Sequence, residues 1–343
     1  MGEGGVMATL KDIAELAKVS TTTVSRILNN DFSFSVRDET KEKVLKAAAE
    51  LNYELKDSST ISKNFKRKRF GIVQWISSYE EEQDPYYLSI RQSVENYCIE
   101  NKIFTDRYFM ENISELYENN DLDGLVCIGK FSLEMAEKLA DHSANIIFID
   151  SSPDSKRYSS IVNDLKSGTY EIVNYLKEMG HKHIGFIGGR EYLDTGDTVH
   201  IDVRESTFRK IIEEDKEIKT NEQDIFINRF NHQTGYDSMM AAFKNKDMPS
   251  VFICESDTIA MGALSALGEL DAQLSKKVSI ISYNNIKSAE YMNPPLTTLS
   301  LNTKYMGELA GNLLIHMIDS KYSTPVEIKC ATKLMIRESV YKN

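Results

Sequence analysis

Apolar residues recur at helical spacing through the first fifty positions, then switch to short continuous runs. Thr9 is a good N-cap for a helix over 10–18, because Asp12 stands three residues on in a capping-box-like arrangement. Ile13, Leu16 and Ala17 form its apolar stripe. Val19-Ser20 interrupts the pattern, and Ser20 or Thr21 caps a second helix to about Leu28 with Val24, Ile27 and Leu28 turned inward. A loop over 29–36 follows, then a third helix over about 38–51 with Val44, Leu45, Ala48 and Leu51 on one face. These 56 residues hold no proline and no glycine after Gly5.

From Phe70 onward, strand-like runs at 71–76, 125–128, 146–149, 184–187, 251–254 and 278–282 alternate with helical stretches. The helices fall at 88–100, 165–179, 205–214, 234–243, 258–269 and 304–318. Short apolar strands separated by helices are the mark of parallel sheets covered on both faces. The length is large for one open sheet. The expected fold class is α/β, with two doubly wound parallel-sheet subdomains preceded by a small all-α helix-turn-helix head. The expected boundaries are a head over 7–56, a hinge or linker over 57–69 and a core over 70–343.

Net charge changes the picture only when it is resolved along the chain. The total is −11, which by itself disfavours nucleic acid as a partner. Residues 7–69 carry 13 lysines and arginines against 9 acids, whereas 70–343 carry 28 against 42. The linker KDSSTISKNFKRKR holds Lys63, Lys66, Arg67, Lys68 and Arg69, with Asp57 its only acid, and suits phosphate contacts. A solvated tether is the plainer alternative. Four scattered cysteines without a CxxC pair point to buried thiols in a reducing compartment. No positive, apolar leader and no membrane-length apolar run is present, so a soluble cytoplasmic protein is expected.

The second helix carries the candidate chemistry. In TTTVSRILNN the outward positions are Thr21, Thr22, Ser25, Arg26 and Asn29, while Val24 and Ile27 hold the helix to its neighbours. An arginine can bond guanine O6 and N7 together, and threonine methyls can meet thymine methyls. Composition alone leaves an ordinary three-helix bundle equally open. Ile61 is the one aliphatic residue of the linker and fits a minor-groove wedge. Elsewhere, His181-Lys-His183 lacks a third ligand, Gly188-Gly189 lacks a phosphate-loop lysine, and the acid runs at 80–84 and 213–217 suit solvated faces. No nucleophile–base pair stands at an informative spacing, so no enzyme, catalytic residue, metal or cofactor is expected.

ATLKDIAELAKVSTTTVSRILNN followed by ETKEKVLKAAAELNY closely resembles the DNA-binding head of the LacI/GalR family of bacterial repressors. DPYYLSIRQSVE, DGLVCIG, GHKHIGFIGG, ESDTIAMGALSAL, VSIISYNN and NPPLTTL look like further blocks of that family in its order. The resemblance covers the chain after Val6, and within the family it is nearest to regulators of galactose and β-galactoside operons. It implies a homodimer on a pseudo-palindromic double-stranded operator, and a periplasmic-binding-protein-like core that releases DNA when a small sugar binds. The implied DNA-contacting set is Thr9, Leu10, Ser20, Thr21, Thr22, Thr23, Ser25, Arg26, Asn29 and Ile61. The implied effector set is Tyr86, Tyr87, Asp150, Arg204, Phe230, Ser256 and Asn284, with galactose or a β-galactoside as the inducer.

The chain also departs from the family pattern. Ser256-Asp257 replaces the usual Asn-Asp, and Asn284 replaces the usual Asp. Ser58, Ser59 and Ile61 stand where the hinge usually has a proline and Ala-Arg-x-Leu, so hinge folding is expected to depend on DNA. No leucine-heptad tail follows IRESVYKN, which predicts a dimer and not a tetramer. Two alternatives stay open: a catabolite-control regulator whose effector or partner protein tightens DNA binding, and a sugar-binding protein with a vestigial head.

Overall fold

In a computed structural model the described residues are 8–28, 36, 38–51, 53, 67–83, 85–192, 199–270, 277–320 and 324–343. The chain divides into two units, Met1–Arg67 and Lys68–Asn343.

The first unit holds α1 (Leu10–Ala17), α2 (Thr21–Leu28) and α3 (Asp38–Glu50). Thr9 caps α1 through a full capping box with Asp12, and Lys18 closes it in the left-handed region at φ 55°. Ser20 Oγ accepts from the Thr23 N–H at 3.0 Å and so starts α2. Ile13, Ala14, Ala17, Val24, Ile27, Val44, Ala47 and Ala48 make the core. Two residues expected inside are not: Leu16 and Leu45 are each 48% exposed. The stripes run through Ile13, Ala14 and Ala17 on α1 and Val44, Ala47 and Ala48 on α3, so small alanines take the contact and the leucines fall beside it. Asn29, Ile61 and linker positions 54–66 lie outside the described residues.

The second unit runs β1 (Arg69–Gln74), α4 (Ser78–Gln83), α5 (Pro85–Glu100), β2 (Phe104–Phe109), α6 (Ile113–Glu118), β3 (Gly124–Ile128), α7 (Leu133–His142), β4 (Ile146–Ile149) and β5 (Ser159–Asn163). It continues with α8 (Leu165–Glu178), β6 (Ile184–Gly189), β7 (Glu191–Tyr192), β8 (Val199–His200), α9 (Val203–Glu214), β9 (Ile225–Asn228) and α10 (His232–Ala242). It ends with β10 (Val251–Cys254), α11 (Asp257–Leu270), β11 (Ser279–Asn284), β12 (Thr297–Ser300), α12 (Thr303–Ser320), β13 (Glu327–Cys330) and β14 (Lys333–Met335).

Two six-stranded sheets result, ordered β13-β5-β4-β3-β1-β2 and β14-β12-β11-β10-β6-β9. Every pairing in them is parallel except β12 with β14. The six apolar runs expected as strands form the middle of the two sheets. The sequence reading lacked β2, β5, β9, β12, β13 and β14 because these strands are polar, short or half-exposed, and most lie at or next to a sheet edge. The chain passes between the lobes three times: after β5, after β12, and between β13 and β14. The crossings run side by side, with the Asp164 N–H donating to the Cys330 carbonyl at 2.9 Å and Asn302 Nδ2 to the Ala331 carbonyl at 3.4 Å.

Three local features fix the lobes. On α10 and α11, a Cβ at Gly235 or Gly262 would fall 1.9 Å from the carbonyl oxygen of Ile259 or His232, so only this glycine pair lets the two helices touch. Asp257, fully buried at the start of α11, accepts from Ser282 Oγ at 2.5 Å, Thr298 Oγ1 at 2.6 Å and the Ile286 N–H at 2.7 Å. Glu81 corrects the reading of the 80–84 run as a solvated face: it is buried and accepts from Arg91 Nε and Nη2 at 2.8 and 2.6 Å. Two of the linker cations are likewise tied into this unit, Arg69 to Asp106 at 2.9 Å and Lys68 to Asp319 at 2.7 Å. The four cysteines are free and buried. No helix among the described residues is long and apolar enough to cross a membrane.

Candidate functional site

In open parallel sheets, side chains just past the carboxyl ends of the strands collect at one edge, where ligands bind. Both sheets turn that edge to the same cleft, a cavity of about 830 Å³. The first lobe contributes Trp75, Ile76 and Ser77 after β1, Met110 after β2 and Asp150 after β4. The second contributes Arg190 and Glu191 after β6, Phe230 after β9, Ser256 after β10 and Asn284 at the end of β11. All seven residues of the expected effector set line this one cavity.

Their bonding is specific. Asp150, in the left-handed region at φ 71°, accepts from Tyr86 Oη at 2.7 Å and Tyr87 Oη at 3.0 Å. Lys130 Nζ holds the same carboxylate at 2.8 Å and the Asp150 carbonyl at 2.6 Å. Burial and then the neighbouring carboxylates push both tyrosines well above the usual phenol range, so each phenol donates. Across the cleft, Arg204 meets Asp202 through Nε at 2.7 Å and Nη2 at 2.8 Å, and donates from Nη1 to the Glu255 carbonyl at 2.6 Å. Its guanidinium carbon lies 5.3 Å from the Phe230 ring centroid and 5.6 Å from that of Tyr283. Burial opposes charge on both partners, yet the pair overrides it, holding Asp202 below the usual carboxylate range and Arg204 well above its ordinary value. Asn284 is strained at φ 105°, and a non-glycine residue in that region is a feature of functional sites.

Several groups at this site escaped the sequence reading: Lys130, Arg190, Glu191, Asp202, Glu255, Tyr283, Asn163 and Trp75. A usable signal existed for most of the charged ones. Lys130, Arg190, Glu191 and Glu255, like the expected Asp150, each follow within two residues the end of an apolar parallel strand. Burial raises Glu191 to about 7, and burial followed by the Asp202 charge raises Glu255 well above the carboxylate range.

In the first unit, Thr21, Thr22 and Arg26 are exposed on α2, and Ser25 is half-buried beside them. Thr9, Ser20 and Thr23 have their hydroxyls engaged within the chain, Thr9 with Asp12 at 2.7 Å and Ser20 with Thr23 at 2.8 Å. Leu10 packs against the three-helix core.

The family model described as bacterial regulatory proteins, lacI family, matches residues 9–54, and that described as a periplasmic binding protein-like domain matches 173–340. The chain is similar to the HTH-type transcriptional regulator GanR of Bacillus subtilis (strain 168), with 36% identity over 338 residues, 97% of this chain and 100% of that one. In fold it is similar to a transcriptional regulator CelR–cellobiose complex, at a TM-score of 0.69 and 21% identity over 97% of this chain and 100% of that one. It is also similar to the lac repressor dimer bound to operator and the anti-inducer ONPF, at a TM-score of 0.67 and 19% identity over 98% of this chain and 100% of that one. The chain therefore belongs to the lacI family of bacterial regulatory proteins, as a DNA-binding transcriptional repressor with a periplasmic binding protein-like core.

Proposed function

We propose that this repressor binds a pseudo-palindromic operator as a homodimer and is released when a galactose-type sugar or β-galactoside enters the cleft. The head is assigned to 7–56, the hinge to 57–69 and the core to 70–343. The observation that carries the reading is the wall of the cavity itself. Aromatic faces from Tyr86, Tyr87 and Phe230 stand beside a carboxylate and an arginine fixed by their own neighbours. Sugars are held by just such pairs, with planar polar groups on their hydroxyls and rings on their C–H faces. At 830 Å³ the cavity lies in the range of about 300–1,000 Å³ common for small-ligand sites. Because the cleft lies between lobes joined by three short crossings, a ligand touching both lobes favours one angle between them. The cleft binds its ligand and does not convert it.

Fluorescence anisotropy on a labelled palindromic operator from the gene's own upstream region, with and without galactose or lactose, tests this. Sugar is expected to lower the anisotropy. Tightening on addition of sugar would instead mark a corepressor, and no response to any sugar would discard the effector class. In the same assay Arg26→Ala is expected to weaken binding by about 1–3 kcal/mol, with the discrimination lost at one base pair in each half-site. A uniform loss across all sequences would assign Arg26 to phosphate.

A further inference from the structure

Two buried carboxylates at the cleft, Glu191 in its wall and Glu255 next to Ser256 in the chain, have no cation of their own among the described residues. Asp150 is matched by Lys130 and Asp202 by Arg204. Glu191 and Glu255 make no ion pair among the described residues, although they are 8% and 0% exposed. Each leaves one oxygen, Glu191 Oε2 and Glu255 Oε1, without a hydrogen-bond partner there, and Asn284 Oδ1 is in the same condition. Glu191 Oε2 and Asn284 Oδ1 are acceptors of the cavity wall, where Trp75 Nε1 is an orphaned donor. Glu191 forms part of the cavity wall, carried there by β7, and its other oxygen makes only a 3.5 Å contact with Tyr87 Oη. A buried charge held without a partner weakens the fold. The nearest cations, Lys130 and Arg204, favour its charged form but are already paired with Asp150 and Asp202, so a ligand hydroxyl would supply the donor that Glu191 lacks among the described residues.

We infer that Glu191 is a specificity-determining contact whose carboxylate accepts O–H donors from an uncharged polyhydroxylated ligand and turns away sugar acids. The inference rests on the sugar reading above. The arginines that would otherwise greet an anion have their charges matched, Arg204 by Asp202 and Arg190 by Glu205. Arg229, the remaining arginine of the wall, is exposed to solvent. A ligand carboxylate would therefore meet Asp150, and Glu191 once it is ionised above about pH 7, as like charges in a low dielectric. Hydroxyls, in contrast, supply the donors these oxygens lack.

The test is calorimetry on the full chain with galactose, lactose and galacturonate, using wild type, Glu191→Gln and Glu191→Ala, together with melting curves at pH 8 without ligand. Wild type is expected to bind a neutral sugar at least about tenfold more tightly than galacturonate. Both variants are expected to lose roughly 10–100-fold for the neutral sugar, the loss of a hydrogen bond to a charged group, and to narrow the gap to the acid. Glu191→Gln is also expected to melt no lower than wild type, because it removes an unpaired buried charge. Two outcomes overturn the assignment while leaving the sugar reading intact: unchanged neutral-sugar affinity in the variants, or a lowered melting point with equal loss for every ligand. Tighter binding of galacturonate than of galactose by wild type overturns the selection against acids. No heat from any of the three with wild type overturns the sugar reading and the inference with it.

Discussion

An Arg204→Ala chain is expected to bind its operator as wild type does and to remain bound when galactose or lactose is added. Arg204 is the one guanidinium of the cleft placed between two aromatic rings, and it joins α9 to the Glu255 carbonyl behind β10. Removing it takes away the planar donor that the proposed function sets against the sugar and opens the wall beside Phe230. It also strands Asp202, 1% exposed, as a buried charge without its partner, at a cost of about 3–5 kcal/mol. That cost has a pH signature. Asp202 is held below the usual carboxylate range, so its contribution is present at neutral pH, begins to fall as the pH drops through that range and is lost fully only below its own depressed value. Urea unfolding at pH 7 and pH 3 should therefore show the wild-type advantage over Arg204→Ala shrinking in acid. Arg204→Lys restores the charge without the fork, and is expected to recover part of the stability but not the release of DNA. Release by sugar in the lysine variant at wild-type concentrations would remove Arg204 from the binding role.

The second large effect is expected at Asp257, which touches no ligand. Its two oxygens take the Ser282 and Thr298 hydroxyls and the Ile286 N–H, tying the start of α11 to β11 and β12. A carboxylate at a helix N-terminus is favoured by the helix dipole as well. Alanine would leave three buried donors without their acceptor, each worth about 1–3 kcal/mol, so a loss of roughly 3–5 kcal/mol is expected in the urea midpoint. Asn284 belongs to β11, and Ile286 lies two residues past it. Loosening there should also weaken sugar binding while operator affinity at 25 °C stays unchanged. A stability loss below about 1 kcal/mol would mean that water takes over the three donors.

These two residues also mark what the sequence made legible. The central strands β1, β3, β4, β6, β10 and β11 were visible because a strand buried on both faces must be apolar along its length. Strand β5 was not, because Ser159 and Ser160 look like loop residues. They are buried with their hydroxyls bonded, Ser159 accepting from the Val326 N–H and Ser160 donating to Ser152. The cleft residues were located by motif blocks, since periodicity would have left Arg204 on a solvated helix face. Its burial depends on Asp202, Phe230 and Tyr283, which only the fold brings together. Glu191 was hidden for the opposite reason. It follows Gly188-Gly189-Arg190, which suggested a loop, and although it stands two residues past an apolar strand end, only the fold shows that this end opens into a cavity.

The last two strands of the chain each complete a different sheet: β13 closes the edge beside β5, and β14 the edge beside β12. The bond from the Val326 N–H to Ser159 Oγ spans 167 residues. During synthesis, neither lobe has all its strands until β13 and β14 have left the ribosome, and the cleft between them cannot take shape earlier. The three-helix head, made first and held by contacts within its own few dozen residues, needs none of that delay. A chain interrupted before β13 thus carries the three-helix head without a completed cleft, so a lesion in β13 or β14 spares the head and disables the cleft.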